Sequence, residues 1–491
     1  MNAPPSGNVQ RATRAGLWSV GDLIGRQLLQ FASSVVLARL LTPADFGLIV
    51  LVTFFSTLST VFVQGGLSTA LIQQRDTTRE EESTIFWVNL AASFLFAAVI
   101  AGFAPAIARF YEAPLLAPLL LVACASIVLS AFGAVHGALM TRDLLFAPVT
   151  KVGLLSAVIG TALAIALAFA GWGVWSIAAQ ILAVSVINSA GYWIVCAWRP
   201  LFAVHLRGIK RFFRFGVWLS LSHVMEVLYS QGAPALIGKL YGVSEVGLYN
   251  RAQSTQLLPS GALMGLVTRL ALPLFVQNGQ DPASLRSGLR VANGFAMLVN
   301  VPAMLGLILL SPLVIRTLFG DQWDAAAPLL SVLALSGLLL PVHAANLQVL
   351  LALGETDVYF RVEIFKKLLG LACLAVGSFF GLAGLAWAQV ALSVLALSIN
   401  IAPVQRRIGY GVGAQLGDLK GLLLPSLAMG AAVLFLQSRL ALGDAALLLV
   451  LTVAGAVTYF AVGLATRGRP FLEAWTAMSS LKHGDTQPIV A

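Results

Sequence analysis

The sequence has little charge, little cysteine and little histidine. Only 10% of its 491 residues are charged, whereas an ordinary soluble domain has about 25%. The three cysteines, Cys124, Cys196 and Cys373, lie far apart inside apolar segments, so we interpret them as small packing residues. The five histidines show no metal-ligand spacing. These shortages argue against a large soluble domain and against a metal site.

Motifs of soluble catalysis are also missing. The sequence contains no G-x-x-x-x-G-K-[ST], no H-E-x-x-H and no G-x-S-x-G. We therefore predict a protein that is not an enzyme, does not itself hydrolyse ATP and has no resident cofactor. The formal charge of +10 does not imply a nucleic-acid partner, because excess Lys and Arg in a membrane protein usually reflect its orientation in the bilayer.

Apolar residues dominate the chain from end to end. They make up 59% of it, and the mean hydropathy is +0.90. A helix that crosses a bilayer needs about 20 mostly apolar residues, and such runs recur throughout. Runs such as LLSAVIGTALAIALAFA (154–170) do not alternate as the strands of a membrane barrel do. The prediction is an all-α polytopic membrane protein with about fourteen transmembrane helices.

The basic residues predict the orientation of these helices. With both termini in the cytoplasm, 22 of the 30 Lys and Arg residues fall at inner ends and six at outer ends, while Arg26 and Arg269 fall within spans. The inner segments together carry far more basic residues than the outer segments, as the positive-inside rule expects. We therefore predict a multi-pass membrane protein with both termini in the cytoplasm.

A sequence repeat divides the chain into two related halves. ARLLTPADFGL (38–48) matches GKLYGVSEVGL (238–248) at an offset of 200, which pairs Asp45 with Glu245 and Gly47 with Gly247. LAPLLL near residue 118 matches AAPLLS near residue 328 at 210, and RDLLF (142–146) matches TDVYF (356–360) at 214. The first six helices are therefore predicted to be repeated by the next six in the same orientation, as in parallel-repeat transporters.

The repeated segment itself is predicted to be a capped turn. Thr42 is placed to cap the second span, Pro43 to occupy its first helical position, and Asp45 to lie three residues past the cap. An acid in the first turn stabilises the positive end of the helix dipole. We therefore interpret Asp45 and Glu245 as capping residues and not as substrate ligands.

The predicted domain organisation follows from these spans. It consists of a short tail, an N-lobe of six helices, a basic amphipathic linker, a C-lobe of six helices, an extra C-terminal helix pair and a second tail. The boundaries are 1–15, 16–198, 199–214, 215–404, 405–466 and 467–491.

Ionisable residues inside the spans are the predicted substrate-site residues, because a charge at mid-bilayer should face a cavity or a partner. The candidates are Asp22 and Arg26 in the first span, His223 and Glu226 in the seventh, and Arg269 in the eighth. The repeat aligns Arg26 with Glu226, which favours a polar cavity between the lobes. The alternatives are an intrahelical Asp22–Arg26 pair with packing polarity, and an Arg269 side chain that reaches the cytoplasmic interface.

Uncharged polar residues also recur within the spans at helical spacing. We interpret most of them as interhelical hydrogen-bonding residues, although Asn and Gln also suit sugar hydroxyls. They are Gln64, Gln253, Gln256, Asn293, Asn300, His343 and Asn346.

Several strings, in the right order, resemble a known family of transporters. The chain is similar from about residue 11 to 405 to the bacterial polysaccharide transporters, the lipopolysaccharide-biosynthesis flippases of the multidrug/oligosaccharidyl-lipid/polysaccharide exporter superfamily. The strings include ARLLTPADFGL, RFYEAPLLAPLL, MTRDLLFAPV, GWGVWSIAAQ and IGKLYGVSEVGLYNRAQ.

This resemblance implies a flippase that carries an undecaprenyl-diphosphate-linked oligosaccharide to the outer leaflet by alternating access. Polymerase or export machinery would then build O-antigen, capsule or exopolysaccharide. In such families cavity arginines attract the diphosphate, a role that Arg26 fits by position and Arg269 as a second candidate. The alternative is a cation-coupled drug antiporter, for which Asp22 and Glu226 would serve as cation sites. The sequence leaves open whether H⁺ or Na⁺ acts as a coupling ion.

Overall fold

The computed structural model describes residues 30–61, 67–74, 76–202, 223–277 and 281–473. Within these ranges the regular structure is helical. The chain divides into two compact units, Met1–Gly247 (unit 1) and Leu248–Ala491 (unit 2). Ten helices of the described residues are long and apolar enough to cross a membrane, so the all-α polytopic prediction is confirmed.

Seven helices with assigned bounds lie entirely within unit 1. Residues 30–40 and 223–230 are helical as well. The bounds of the seven helices are α1 Pro43–Thr60, α2 Leu67–Gln73, α3 Arg79–Phe110, α4 Leu116–Arg142, α5 Phe146–Phe169, α6 Trp175–Val195 and α7 Gly232–Leu240. The main packing in unit 1 joins α3 to α4 and α6 to both α4 and α5.

The other helices form or enter unit 2. Their bounds are α8 Val243–Gln277, α9 Pro282–Phe319, α10 Ala326–Gly337, α11 Leu340–Ala352, α12 Thr356–Gly377, α13 Gly381–Ile408, α14 Val412–Leu419, α15 Leu423–Arg439 and α16 Asp444–Ala465. Short 3₁₀ turns occupy Asp321–Trp323, Ser378–Phe380 and Lys420–Leu422. In unit 2, α10 packs on α9 and α13, α12 on α13, and α15 on α16.

The predicted cap at the start of α1 is confirmed. The Asp45 backbone N–H donates to Thr42 Oγ1 at 3.3 Å, and the Asp45 carboxylate accepts from the Thr42 backbone N–H at 3.0 Å. Pro43 occupies the first helical position, where its missing N–H costs nothing. The local sequence alone therefore fixes where this helix begins.

The structure reproduces the repeat at its helix boundaries. A helix ends at residue 40 in the first copy and at Leu240 in the second, and the next helix begins at Pro43 or Val243. Further along, α4 spans the same 27 positions as α10 and α11 together at an offset of 210. The turn that follows has a positive φ at Leu144 and at Gly354, again 210 apart.

The second copy differs from the first by a break. Helix α4 is continuous, whereas the equivalent stretch ends as α10 at Gly337 and restarts as α11 at Leu340. Pro341 lies in the first turn of α11, where it has no N–H to donate to the preceding turn and its ring clashes there. The equivalent residue of α4 is Ala131, which continues a helix without strain.

Candidate functional site

The five predicted site residues have different outcomes. Asp22 and Arg26 lie outside the described residues. His223 and Glu226 are exposed on the helical stretch 223–230, and Arg269 is exposed on α8. That stretch ends at a turn at Gln231, just before Pro234 in the first turn of α7, so the seventh predicted span is interrupted there.

A more deeply buried polar site lies in unit 2, at the break between α10 and α11. Asn300 on α9 donates to the carbonyl oxygens of Gly337 at 3.0 Å and Leu338 at 2.9 Å. Ser393 on α13 donates to the carbonyl oxygen of Ser336 at 2.9 Å. Unpaired carbonyl groups are costly in hydrocarbon. Side chains of two neighbouring helices thus satisfy the three carbonyls at the end of α10.

The polar contacts continue along α11. The Asn400 amide nitrogen lies 3.1 Å from His343 Nδ1, and Ser393 Oγ lies 3.4 Å from His343 Nε2. Asn346 and Gln415 exchange two amide hydrogen bonds of 2.9 Å. All of these side chains are buried.

Several polar residues that the sequence singled out are therefore interhelical hydrogen-bonding residues. Asn300 and His343 join α9, α10, α11 and α13, while Asn346 binds Gln415 on α14. Asn293 on α9 also donates to Gln415, at 3.3 Å. The interpretation of these four residues as interhelical hydrogen-bonding groups is confirmed.

Helix α12 adds an ion pair to this unit. Lys366 and Glu363 form an i,i+3 salt bridge, and their side chains are only 14% and 26% exposed. Lys366 is the eleventh residue of a 22-residue helix, which is about 33 Å long at 1.5 Å per residue. The pair therefore lies near the middle of α12, which also carries Asp357, Arg361 and Lys367.

The ion pair lies on the inner face of α12. The outer face carries the exposed side chains of Phe360, Ile364, Phe365 and Leu368. Gly370 and Leu374, on the side of Glu363 and Lys366, are buried. An ionisable pair that faces inward from a transmembrane helix is by default a functional-site hypothesis.

The first copy of the repeat serves as an internal control for this pair. At the offset of 210, Gly153 and Ser156 on α5 occupy the positions of Glu363 and Lys366. Both are buried, and Ser156 donates to the side-chain oxygen of Asn188 at 3.0 Å. The fold thus forms in the first copy without an ion pair here, so Glu363 and Lys366 are specific to unit 2.

The sequence alone does not single out this pair, because the positive-inside prediction places Lys366 among the basic residues at an inner end. The helix begins earlier, at Thr356. A usable signal was present: Glu363 and Lys366 are three residues apart, among apolar residues at helical spacing. That pattern separates a charged inner face from an apolar outer face.

The comparisons with known proteins identify the class. A family model for polysaccharide biosynthesis proteins matches residues 36–328. The chain belongs to this family of polysaccharide biosynthesis proteins.

Particular relatives extend over most of the chain. The succinoglycan biosynthesis transport protein ExoT of Rhizobium meliloti is 27% identical over 434 residues, which cover 88% of this chain and 86% of the relative. The teichuronic acid biosynthesis protein TuaB of Bacillus subtilis is 29% identical, over 75% of this chain and 76% of the relative. The lipopolysaccharide biosynthesis protein WzxC of Escherichia coli is 26% identical, over 78% of both.

Solved structures share the fold. The lipid II flippase MurJ in an inward closed conformation aligns with a TM-score of 0.75 at 15% identity, over 93% of this chain and 99% of that chain. An inward-facing multidrug transporter of the MATE family aligns with a TM-score of 0.59 at 17% identity, over 78% and 94%. These similarities establish the fold of a polytopic membrane transporter.

Proposed function

We propose that this protein is a flippase that carries an undecaprenyl-diphosphate-linked oligosaccharide across the inner membrane for surface polysaccharide synthesis. The observation that carries the proposal is the match to ExoT, a transport protein of succinoglycan biosynthesis, over 88% of the chain. TuaB and WzxC are named for two other surface polymers, and MurJ is a flippase of lipid II. ExoT is named as a transport protein and MurJ as a flippase, and all three relatives are named for the biosynthesis of a glycan polymer.

The physical task fits a protein with a polar interior. A diphosphate with several sugars cannot cross hydrocarbon unaided, because burial of unpaired polar and charged groups is too costly. We assign Lys366 as a cation that contacts the diphosphate, with Glu363 as its counter-ion in the absence of substrate. Asn and Gln side chains are suited to the sugar hydroxyls. The polyprenyl tail stays in the lipid, and alternating access requires only two arrangements of the lobes with similar stability.

The remaining assignments belong to the same proposal. The protein acts as a transporter and not as an enzyme, in the inner membrane, with both termini in the cytoplasm. Its partners are the lipid-linked glycan, membrane lipids and the polymerase or export machinery for the polymer, and nucleic acid has no part. A coupling ion, H⁺ or Na⁺, is part of the proposal without a choice between the two.

Deletion of the gene tests the function directly. We expect loss of a surface polysaccharide and accumulation of the glycan-linked polyprenyl diphosphate in the inner leaflet, measured by lipid extraction and mass spectrometry. Restoration of both by the plasmid-borne gene is the control. Drug sensitivity with an unchanged surface glycan would contradict the flippase proposal and favour the cation-coupled antiporter.

Arg26 remains the sequence-based candidate for contact with the diphosphate. Arg26→Ala is expected to abolish surface polymer while the protein stays at its normal abundance, because the substrate loses a charge-assisted contact. Polymer yield and an immunoblot of membranes measure the two quantities. An Arg26→Lys variant keeps the charge and should retain part of the export. Unchanged polymer in Arg26→Ala would return Arg26 to a packing role.

A further inference from the structure

A buried histidine in unit 2 has a different partner at each of its two ring nitrogens. The Asn400 amide nitrogen lies 3.1 Å from His343 Nδ1, and Ser393 Oγ lies 3.4 Å from His343 Nε2. An amide nitrogen only donates, so Nδ1 accepts, and Nε2 carries the single ring proton of a neutral imidazole. The Ser393 hydroxyl donates to the carbonyl oxygen of Ser336 at 2.9 Å, so its own oxygen can accept from Nε2. The contacts thus define one tautomer of His343.

The Asn400 amide has an unused acceptor at this site. Its Oδ1 is buried and has no hydrogen-bond partner within the described part of the chain. Rotation of the amide by half a turn exchanges the nitrogen and Oδ1, and Oδ1 can then accept from a proton on Nδ1. The neutral ring and the doubly protonated ring therefore make the same number of hydrogen bonds with Asn400 and Ser393. Such a site can gain and lose a proton without disrupting the helices around it.

We propose that His343 and Asn400 form a proton-binding site, so that H⁺ is the coupling ion of the transporter. The inference rests on the proposed transport function. A proton adds to the lone pair of Nδ1, the Asn400 amide rotates, and its Oδ1 accepts the new N–H; the reverse steps release the proton. Nε2–H stays on Ser393 Oγ throughout, and this bond becomes charge-assisted in the protonated state. Because Ser393 also binds the end of α10, the charge on the ring acts on the contacts at the helix break.

The first copy of the repeat has no equivalent of this site. At the offset of 210, Gly133 on α4 occupies the position of His343, and Ala190 on α6 occupies that of Asn400. Neither residue has a side chain that binds a proton or forms a hydrogen bond. The fold is therefore formed in the first copy without these polar groups, so packing of the repeat does not itself require the pair of His343 and Asn400 in unit 2.

A line of polar groups leads from His343 to one end of unit 2. Asn346, one turn further along α11, exchanges hydrogen bonds with Gln415 on α14, and Asn293 donates to the same Gln415. A cavity beside them has room for about one water molecule and is lined by Arg290, Asn293, Tyr410, Gln415, Asp418 and Glu473. The side chains of Asp418 and Glu473 are 23% and 21% exposed. The distribution of basic residues predicts that this end faces the cytoplasm, which would supply and receive the proton.

Charges on the helices that pack against α11 also act on the ring. Glu363 and Lys366 lie on the inner face of α12, and as an ion pair their opposite effects on the imidazolium largely cancel. The hydrogen-bond partners of the ring therefore decide which protonation state is held. The other charged groups of these helices are Asp357, Arg361 and Lys367 on α12, Arg286, Arg290 and Arg316 on α9, Arg406 and Arg407 on α13, and Asp418 on α14.

Nuclear magnetic resonance of the full chain in lipid bilayers, with ¹⁵N-labelled histidine, measures the protonation state directly. The His343 signals are those that change in Asn400→Asp and are absent in His343→Gln. In the unmodified protein we expect both ring nitrogens to become protonated as the pH falls within about pH 8 to 5, the range in which histidine acts as a switch.

Two substitutions of Asn400 should move this titration in opposite directions. Asn400→Asp should keep the ring doubly protonated over the whole range, because a neighbouring carboxylate favours the imidazolium. Asn400→Leu should keep the ring neutral, because Nδ1–H then has no acceptor. A His343 ring that stays neutral at every pH in the unmodified protein overturns the proposal, as does the same titration in all three proteins.

Export of surface polymer separates a proton site from a structural histidine. Glutamine at position 343 keeps an acceptor for Asn400 and a donor for Ser393 but takes up no proton. His343→Gln should therefore reach normal abundance in the membrane and lose surface polymer. Asn400→Asp should also lose it, because the ring then stays charged. If His343→Gln does not accumulate, Asn400→Asp at normal abundance decides in the same way.

Ser336→Ala is the matched control for these substitutions. The Ser336 hydroxyl donates within its own helix to the carbonyl oxygen of Leu333 at 2.7 Å, and the substitution leaves the Ser336 carbonyl in place for Ser393. Export should be unchanged in this variant. Normal polymer in His343→Gln overturns the proposal. The titration needs no substrate, so it tests the proton site even if gene deletion shows that the flippase function is wrong.

Discussion

Lys366→Met is expected to lower surface polymer roughly tenfold or more while the protein remains in the membrane. A hydrogen bond to a charged group contributes about 1.5–3 kcal/mol, and every 1.4 kcal/mol corresponds to about a factor of ten. Methionine keeps the length and apolar stem of lysine but removes the ammonium group. The substrate diphosphate would lose its cation, and Glu363 would lose its counter-ion. Polymer yield per amount of protein is the measurement.

Two variants separate binding of the substrate from a structural role of the pair. The exchange Glu363→Lys with Lys366→Glu keeps an i,i+3 ion pair on the same face of α12 but moves the positive charge by one turn. A structural pair would be rescued by this exchange, whereas a substrate cation would not. Lys151→Met is the matched control, because Lys151 is exposed on α5, the equivalent helix of the first copy. Full export by the exchanged protein would return the pair to a structural role.

Asn300→Ala is expected to destabilise unit 2 by about 2–4 kcal/mol. The substitution leaves the carbonyls of Gly337 and Leu338 without their donor in a buried site. Each buried group left unpaired costs about 1–3 kcal/mol, and the lost side-chain volume adds a small cavity. The melting temperature of the purified protein in detergent and its resistance to proteolysis measure the effect.

Asn188→Ala in unit 1 is the control for this substitution. Ser156 Oγ lies 3.0 Å from Asn188 Oδ1 and 2.9 Å from the carbonyl oxygen of Gly153, and its single proton can be donated to either acceptor. Ser156 therefore keeps a partner when Asn188 is truncated, and a loss below about 1 kcal/mol is expected. Equal destabilisation by both substitutions would falsify the assignment of Asn300 as the cap of the helix break.

Features that depend only on neighbouring residues, such as helix caps, could be predicted from the sequence. Thr42, Pro43 and Asp45 define the start of α1 by capping alone, and the structure has that cap. The repeat is visible in the sequence because both matched segments form a short turn between two helices, with helix starts at Pro43 and Val243. The match of RDLLF with TDVYF gave an offset of 214, but the structure gives 210. A slip of four residues keeps the same helical face, which is why sequence matching did not detect it.

The features that could not be predicted from the sequence depend on contacts between residues that are far apart in the chain. Proline alone does not predict the break, because Pro302 lies inside the continuous helix α9. Only the folded structure shows that the chain breaks before Pro341 and that side chains of α9 and α13 satisfy the freed carbonyls. The inward direction of Glu363 and Lys366 likewise depends on which face of α12 meets its neighbours. The candidates His223, Glu226 and Arg269 were chosen for charge within a span, and charge alone does not determine which way a side chain faces.

The break between α10 and α11 also determines how unit 2 can move. A break in a membrane helix can act as a hinge, but here Asn300 of α9 and Ser393 of α13 hold the end of α10 by hydrogen bonds. A change in the angle between α10 and α11 would have to break these three buried hydrogen bonds. We therefore expect α9, α10, α11 and α13 to move as one rigid group, so that a displacement at one end of the group reaches the other end.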